Sequence, residues 1–400
     1  MLNKSIFKDS FVYLIGELLA RSLPFLMLPY LTRKLGTEGF GELSYYLIWL
    51  ALFGIFIGLS QEGAIARYYY FYGKRALNTV VQVGYLYIIL ISLILLFLCW
   101  ILKAEIMGYI VLAAMFQSFV NVQLALRQCQ KQPYKYTVIQ LILSLTNVIF
   151  TILALELFIN EPVKFRILAI VVANFLTFII AGMVLGKLFS DKNKITKNRL
   201  KLGLLYIFSF GLPLILHQLS FFVKGQIDRV VIYKSFSLHE LGVYSAAIQV
   251  SAILPVILMA INKAILPYYY EKLKNNDFSL EKIKKYSIYS FAIVFIPGIF
   301  AATIPENLYS IFLGNSFIGV KNIIILYLIG YGLIIPYLII VNYYFYISKN
   351  KYIAKYNLIS TGFYFIFLIV FSNFSLNYIP FALILSNFIL YLLLFKNIRR

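Results

Sequence analysis

Apolar stretches long enough to cross a lipid bilayer recur about twelve times in this 400-residue chain. Roughly 20 consecutive apolar residues make one membrane-spanning helix, and hydropathy identifies such helices well. The longest polar intervals, around 190–202 and 271–285, are too short to fold as separate domains. The sequence predicts an all-α polytopic membrane protein with spans at 11–31, 43–61, 80–102, 106–126, 137–158, 167–189, 205–232, 243–267, 286–304, 322–346, 356–374 and 377–395.

The composition and the distribution of charge agree with a membrane location. Hydrophobic residues make up 62% of the chain and charged residues 13%, whereas soluble domains carry about 25% charged residues. With the N-terminus inside, and with Lys187 at the inner end of the sixth span counted as inside, 25 of the 36 Lys and Arg residues fall in inside segments and 7 in outside segments. This is the positive-inside bias. The net charge of +21 is therefore explained by membrane topology and does not indicate nucleic-acid binding. Both termini are predicted to be cytoplasmic.

The chain repeats a short pattern at half its length. Phe40-Gly41-Glu42-Leu43-Ser44 resembles Leu241-Gly242-Val243-Tyr244-Ser245 at an offset of 201, and Tyr68-Tyr69-Tyr70 matches Tyr268-Tyr269-Tyr270 at an offset of 200. Six spans per half leave both halves in the same orientation, as in transporters built from parallel repeats. The sequence predicts an N-terminal six-helix lobe over 1–200, including a cytoplasmic linker at Lys192–Lys201, and a C-terminal six-helix lobe over 201–400.

Four basic residues lie at least three residues inside the ends of the predicted spans. They are Arg21 in the first span, Lys224 and Arg229 in the seventh, and Lys263 in the eighth. On insertion scales each costs about 2.5–3.5 kcal/mol at a helix centre. These four side chains are therefore expected to face protein or water rather than lipid.

Three titratable residues accompany these bases. Glu17 precedes Arg21 by four residues and Asp228 follows Lys224 by four, so each pair is predicted to share a helix face. His217 lies seven residues before Lys224 and extends the polar stripe of the seventh span. The spacing of Lys224 and Asp228 leaves two interpretations, a structural ion pair or a functional site.

Structural interpretations remain open for the other charges as well. Glu17 and Arg21 can form a buried pair within one helix, and Asp228-Arg229 can mark the outer end of a shorter helix. Lys263 can extend its ammonium group to the inner membrane interface.

Prolines inside the spans, at positions 24, 29, 213, 255, 297 and 336, are predicted to kink their helices. The tyrosine triplets are predicted to be interfacial residues. Cys99 and Cys129 indicate neither a disulfide framework nor a metal cluster.

Several motifs resemble a known family. The stretch from Leu23-Pro24-Phe25 to Leu35-Gly36, followed by Phe40-Gly41, resembles the opening of bacterial polysaccharide-transport membrane proteins. Phe210-Gly211-Leu212-Pro213-Leu214-Ile215-Leu216-His217 is similar to their seventh helix. Asp228-Arg229-Val230-Val231-Ile232, then Leu241-Gly242-Val243-Tyr244-Ser245-Ala246-Ala247, resembles their most recognisable signature, and Asn262, Ala264, Leu266 and Pro267 fit the end of their eighth helix. These proteins are the O-antigen flippases of the multidrug/oligosaccharidyl-lipid/polysaccharide superfamily.

The resemblance implies a fold and a function. It implies two pseudo-symmetric six-helix lobes around a central cavity and translocation of an undecaprenyl-pyrophosphate-linked oligosaccharide to the outer leaflet of the bacterial inner membrane. Arg21, Lys224, Arg229 and Lys263 would then bind the diphosphate, because Arg offers a planar donor fork and Lys a point charge. Glu17, His217 and Asp228 would couple transport to an ion gradient. Expected partners are the lipid-linked substrate, membrane lipid, and the polymerase and chain-length machinery, with no cofactor.

Two other classes fit parts of the sequence. A cation-coupled multidrug exporter shares the implied architecture, but the four basic and two acidic residues that lie away from the span ends favour an anionic substrate. A polytopic polymerase or acyltransferase usually presents a sizeable outer loop or a His-x4-Asp pair. Phe222 and Tyr244 stand five residues after His217 and His239, and the predicted outer loops are short. A transporter is therefore preferred to an enzyme.

Overall fold

A computed structural model describes residues 16, 19, 20, 22–73, 76–184, 196–275 and 277–398, and no β-strand occurs among them. Eleven helical segments in this part of the chain are long and apolar enough to cross a membrane. They coincide with the second to the twelfth predicted spans, whereas the first, 11–31, is described only at residues 16, 19, 20 and 22–31. The predicted all-α, polytopic architecture is confirmed.

The first compact unit contains Tyr45–Phe222 and the described residues up to Tyr30. Its helices are the later part of α1 (Leu28–Gly58), α2 (Gln61–Phe71), α3 (Leu77–Ile101), α4 (Glu105–Cys129), α5 (Pro133–Leu157), α6 (Pro162–Val184) and the first part of α7 (Lys197–Ser235). Buried apolar side chains of α2, α3 and α4, such as Ile65, Ile88 and Val122, form its core. Large apolar residues on the other face of α3, including Leu93 and Phe97, are exposed, as expected for a lipid-facing helix.

The second compact unit contains Leu31–Ser44 and the chain from Val223 onward. Its further helices are α8 (Leu238–Ser251), α9 (Ile253–Lys274), α10 (Leu280–Tyr289), α11 (Phe291–Val294), α12 (Ile296–Thr303), α13 (Glu306–Leu313), α14 (Val320–Gly332), α15 (Ile334–Tyr346), α16 (Asn350–Ser372) and α17 (Ile379–Asn397). A short 3-10 turn, Leu376–Tyr378, precedes α17. The lobe boundary at residue 200 stays a prediction.

Three of the predicted kinks coincide with helix breaks. The breaks fall at Ala252 before Pro255, at Phe295 before Pro297 and at Leu333 before Pro336. Proline has no N–H to donate and its ring clashes with the carbonyl group four residues earlier, so a break just before it is the expected result. Pro213 differs from these three, because it lies inside the uninterrupted helix α7.

A local backbone signal precedes each copy of the repeated motif. α1 contains a sharp bend at Gly36, where φ is 67° and ψ is −174°. This combination is essentially restricted to glycine, so Gly36 separates the end of the first span from the second. α8 begins with a capping box in which the Ser237 hydroxyl accepts from the Glu240 amide at 3.2 Å and the Glu240 carboxylate accepts from the Ser237 amide at 3.0 Å.

The two copies of the repeated motif pack directly against each other. A Cβ atom added to Gly41 would overlap the carbonyl oxygen of Leu238, and one added to Gly242 would overlap the carbonyl oxygen of Thr37. Gly242 and Leu238 lie 201 residues after Gly41 and Thr37, so the contact is reciprocal. A hydrogen bond of 2.7 Å between Thr37 Oγ1 and His239 Nδ1 lies at the same crossing. Small residues permit such close helix approach in membranes. We call this contact the glycine crossing.

Candidate functional site

The second unit contains a buried carboxylate held by tyrosine hydroxyl groups. Asp228, on α7, is only 2% exposed. Its Oδ2 accepts from the hydroxyl groups of Tyr244 at 2.8 Å and Tyr327 at 3.0 Å, and its Oδ1 accepts from the backbone N–H of Arg229 at 2.8 Å. Tyr364 is buried nearby and interacts electrostatically with this carboxylate. Because these tyrosines belong to α8, α14 and α16, the cluster joins four helices. We call this set of four side chains the tyrosine cage.

Lys224 lies one turn before Asp228 on α7 but interacts with a different partner. Its ammonium group donates to the Ser360 hydroxyl at 3.0 Å, and Ser360 in turn donates to the carbonyl oxygen of Ser386 at 2.7 Å. Within the described ranges, no ion pair joins Lys224 to Asp228. The structural pair considered from the four-residue spacing is therefore not formed there. A cation within a membrane-spanning helix is left with a neutral partner.

Arg229 adds a second positive charge to this region of α7. Its side chain is half-buried, and one guanidinium nitrogen donates to the side-chain oxygen of Gln226. The Nε atom is buried and has no hydrogen-bond partner in the described part of the chain. An unpaired buried donor is costly in a low-dielectric environment. The Arg229 guanidinium group therefore retains a capacity to bind an anion.

Four other predicted site residues remain. Glu17 and Arg21 lie outside the described residues. His217 is exposed in the first unit, with its ring edge-on to Phe221 at a centroid distance of 4.9 Å. Lys263 is exposed on α9, where the adjacent Asn262 accepts a 2.7 Å hydrogen bond from Asn342. Their predicted roles in binding and coupling stay predictions.

Sequence reasoning missed most of the partners in this cluster. Tyr244 belongs to the repeated motif, but nothing in the sequence distinguishes Tyr327 or Tyr364 from the other tyrosines, of which the chain has 33. It also missed Arg127 on α4, which is 5% exposed and has two guanidinium nitrogens without a partner in the described structure. The predicted fourth span ends at residue 126, just before Arg127, whereas the helix continues to Cys129.

Among the described residues, no group of three or more His, Cys, Asp or Glu side chains is suited to hold a metal ion.

Comparison with solved structures defines the class of fold. The chain is similar to an inward-facing multidrug-resistance transporter of the MATE family in the MOP superfamily, with a TM-score of 0.67, 15% identity, and 94% of this chain and 92% of that chain covered. It is also similar to the lipid II flippase MurJ in an inward closed conformation, with a TM-score of 0.66, 14% identity, and coverage of 97% and 86%. These similarities establish the fold.

Comparison of sequences establishes the family. Residues 6–271 match the family described as polysaccharide biosynthesis protein, and the chain belongs to that family. Two relatives from Haemophilus influenzae (strain ATCC 51907 / DSM 11121 / KW20 / Rd) are each 46% identical to it. Lsg locus putative protein 1 aligns over 96% of this chain and 95% of its own length. An uncharacterized membrane protein aligns over 99% and 98%. The chain thus belongs to the polysaccharide biosynthesis protein family and shares the fold of these transporters.

Proposed function

We propose that this protein is a flippase that moves undecaprenyl-pyrophosphate-linked oligosaccharide, the repeat unit of an O-antigen or related surface polysaccharide, from the cytoplasmic to the outer leaflet of the bacterial inner membrane. Alternating access would carry the polar head across while the polyprenyl tail stays in lipid. A diphosphate bearing sugars cannot cross about 30 Å of hydrocarbon unaided. It needs cationic groups inside the protein that are free to bind it.

The observation that carries this proposal is the separation of Lys224 from Asp228. The Asp228 carboxylate is satisfied by hydroxyl groups and a backbone N–H, whereas Lys224 donates to a neutral hydroxyl. The positive charge of Lys224 is thus not compensated by the adjacent acid. Arg229 lies five residues further along α7, on a different side of the helix, and adds a second cation to this region. We propose that both bind the diphosphate, Lys224 as a point charge and Arg229 through its planar donor fork. Arg21 and Lys263 are proposed as further contacts.

Reconstitution tests the proposed function directly. Proteoliposomes would contain a fluorescent undecaprenyl-pyrophosphate-linked oligosaccharide and an imposed proton or sodium gradient of either direction. A membrane-impermeant quencher added outside reports the fluorescence of substrate in the outer leaflet. We expect substrate that starts in the inner leaflet to become quenched only when the protein is present. Gradient-driven accumulation of a cationic dye, with no movement of the lipid-linked sugar, would instead identify an exporter and contradict the proposal.

Lys224→Met in the same assay tests the role of the cation. Methionine keeps the length of the side chain and removes its charge, so we expect normal abundance and melting temperature but at least a tenfold loss of transport. Lys224→Arg should retain part of the activity, because it keeps the charge. The matched control is Lys234→Met, an exposed lysine near the end of the same helix, which should transport normally. Full transport by Lys224→Met would exclude Lys224 from substrate binding.

The proposed orientation has its own test. We expect cysteine labelling from outside the cell to reach the Glu306–Lys321 segment and to miss the Lys192–Lys201 and Lys272–Lys285 segments, because lysine and arginine concentrate in the latter two. Labelling of whole cells and of permeabilised cells distinguishes the two sides. Reaction at 192–201 in intact cells would overturn the cytoplasmic placement of both termini.

A further inference from the structure

We propose that the first unit contains a separate binding site for a sugar phosphate, at the end of the helices that the charge distribution places on the cytoplasmic side. Resting on the proposed function, this inference assigns the site to the sugar and phosphate of the lipid-linked substrate before translocation. A cavity of about 620 Å³ lies between the end of α2, the start of α3 and the start of α7. All of its lining residues belong to the first unit.

Three tyrosine rings form one wall of this cavity. Ring centroids of Tyr68 and Tyr206 lie 5.3 Å apart with an interplanar angle of 80°, and those of Tyr72 and Tyr206 lie 6.0 Å apart at 89°. The Tyr206 hydroxyl donates to the carbonyl oxygen of Ala64 at 2.9 Å, which fixes the orientation of that ring. Aromatic faces carry partial negative charge and attract the C–H groups on the apolar face of a pyranose. Because the rings of Tyr68 and Tyr72 are nearly perpendicular to that of Tyr206, they form a concave aromatic surface that a pyranose ring can contact.

Other lining residues supply polar groups. Asn78, Thr79 and Gln82, from the first turns of α3, line the cavity together with Arg199 from the first turn of α7. Amide and hydroxyl side chains both donate and accept, which suits sugar hydroxyl groups. The guanidinium group of Arg199 suits a phosphate. Aromatic faces, neutral hydrogen-bonding groups and one arginine together match a sugar phosphate better than a free anion or an apolar ligand.

Close packing of α7 on α3 forms the base of the site. Gly203 is buried, and a Cβ atom there would meet a side-chain methyl group of Val83 at 2.9 Å. The absence of a side chain thus brings the two helices close together just beyond the cavity. Tyr68 and Tyr72 also differ from Tyr70, which does not line the cavity and is 66% exposed. The interfacial role predicted for the triplet Tyr68–Tyr70 stays a prediction.

Binding of glucose 1-phosphate to the purified full-length protein tests this proposal. Saturation-transfer NMR and calorimetry would compare glucose 1-phosphate with glucose and with inorganic phosphate. We expect glucose 1-phosphate to bind at least fivefold more tightly than either fragment, and Tyr72→Ala and Arg199→Met each to weaken it at least fivefold. Tyr72 and Arg199 are exposed, so these variants should fold. Matched controls are Tyr70→Ala and Lys201→Met, whose residues do not line the cavity.

Transport of the lipid-linked substrate separates this inference from the proposed function. We expect Tyr72→Ala and Arg199→Met to raise KM for lipid-linked substrate at least fivefold with little change in kcat, because the site holds the head before it moves. Equal binding of glucose 1-phosphate and inorganic phosphate, or equal binding by the cavity variants and their controls, would overturn the sugar phosphate site even if wild-type protein flips the lipid. Binding that depends on Tyr72 and Arg199 without any lipid movement would support the site and contradict the flippase.

Discussion

Asp228→Ala should remove most of the folded protein from the membrane. The substitution removes the acceptor of the buried Tyr244 and Tyr327 hydroxyl groups, which are then left with only their hydrogen bond to each other. Each unsatisfied buried group costs about 1–3 kcal/mol. The loss also weakens the connection of α7 to α8 and α14, because the carboxylate is their shared hydrogen-bond acceptor. Membrane abundance by blotting and thermal melting of the purified protein measure this effect. Asp228→Asn should lower the abundance and the melting temperature less, because asparagine keeps the shape of the side chain and one oxygen that accepts hydrogen bonds.

A rescue experiment distinguishes a structural carboxylate from an ion-coupling one. Replacing all partners by apolar groups of similar shape removes the penalty of unsatisfied groups. Asp228→Leu combined with phenylalanine at 244, 327 and 364 should therefore recover much of the abundance lost in Asp228→Leu alone. Tyr331→Phe is the control, because Tyr331 is one turn along α14 from Tyr327 and makes no hydrogen bond to Asp228. Recovered abundance with gradient-driven transport would exclude Asp228 from coupling, whereas recovered abundance without transport would support its coupling role. Unchanged abundance in Asp228→Ala would contradict the structural role of the tyrosine cage.

Gly41→Ala and Gly242→Ala should each destabilise the protein strongly. The added methyl group overlaps a backbone carbonyl oxygen, which cannot rotate away as a flexible side chain can. Overpacking of this kind costs about 1–3 kcal/mol or more. Because both glycines lie in one crossing, the double variant should lose less than the sum of the two single losses. Thermal melting of the purified variants measures the coupling.

Gly54→Ala provides the matched control for the glycine crossing. Gly54 lies on the same helix α1, and a Cβ atom there would have no neighbour within 4 Å. Alanine favours helix over glycine by roughly 0.5–1 kcal/mol, so this variant should melt at the wild-type temperature or slightly above. Wild-type melting of Gly41→Ala would show that the helices do not approach as closely as described. Strictly additive losses in the double variant would show that the two contacts are independent.

The sequence predicted the helices well and the site poorly, for a physical reason. A membrane span is a local property of about 20 residues. A helix break before Pro255 or Pro336 is also local, because it depends on the proline ring and the helical turn that precedes it. The tyrosine cage depends instead on pairs 16, 99 and 136 residues apart, from Asp228 to Tyr244, Tyr327 and Tyr364. Only helix packing brings them together. Four-residue spacing correctly placed Lys224 near Asp228 along α7, but spacing alone does not identify their partners.

The glycine crossing has a consequence for the history of the chain. If the two halves arose by duplication, the ancestral protein was half as long, and this contact joined two identical copies. Gly41 against Leu238 and Gly242 against Thr37 would then have been one self-complementary contact, made twice about a twofold axis, as in a symmetric homodimer. Fusion of the copies would have left each glycine dependent on a backbone carbonyl encoded in the other half. A bulkier residue at either position then requires a compensating change about 200 codons away, so the halves cannot diverge independently there.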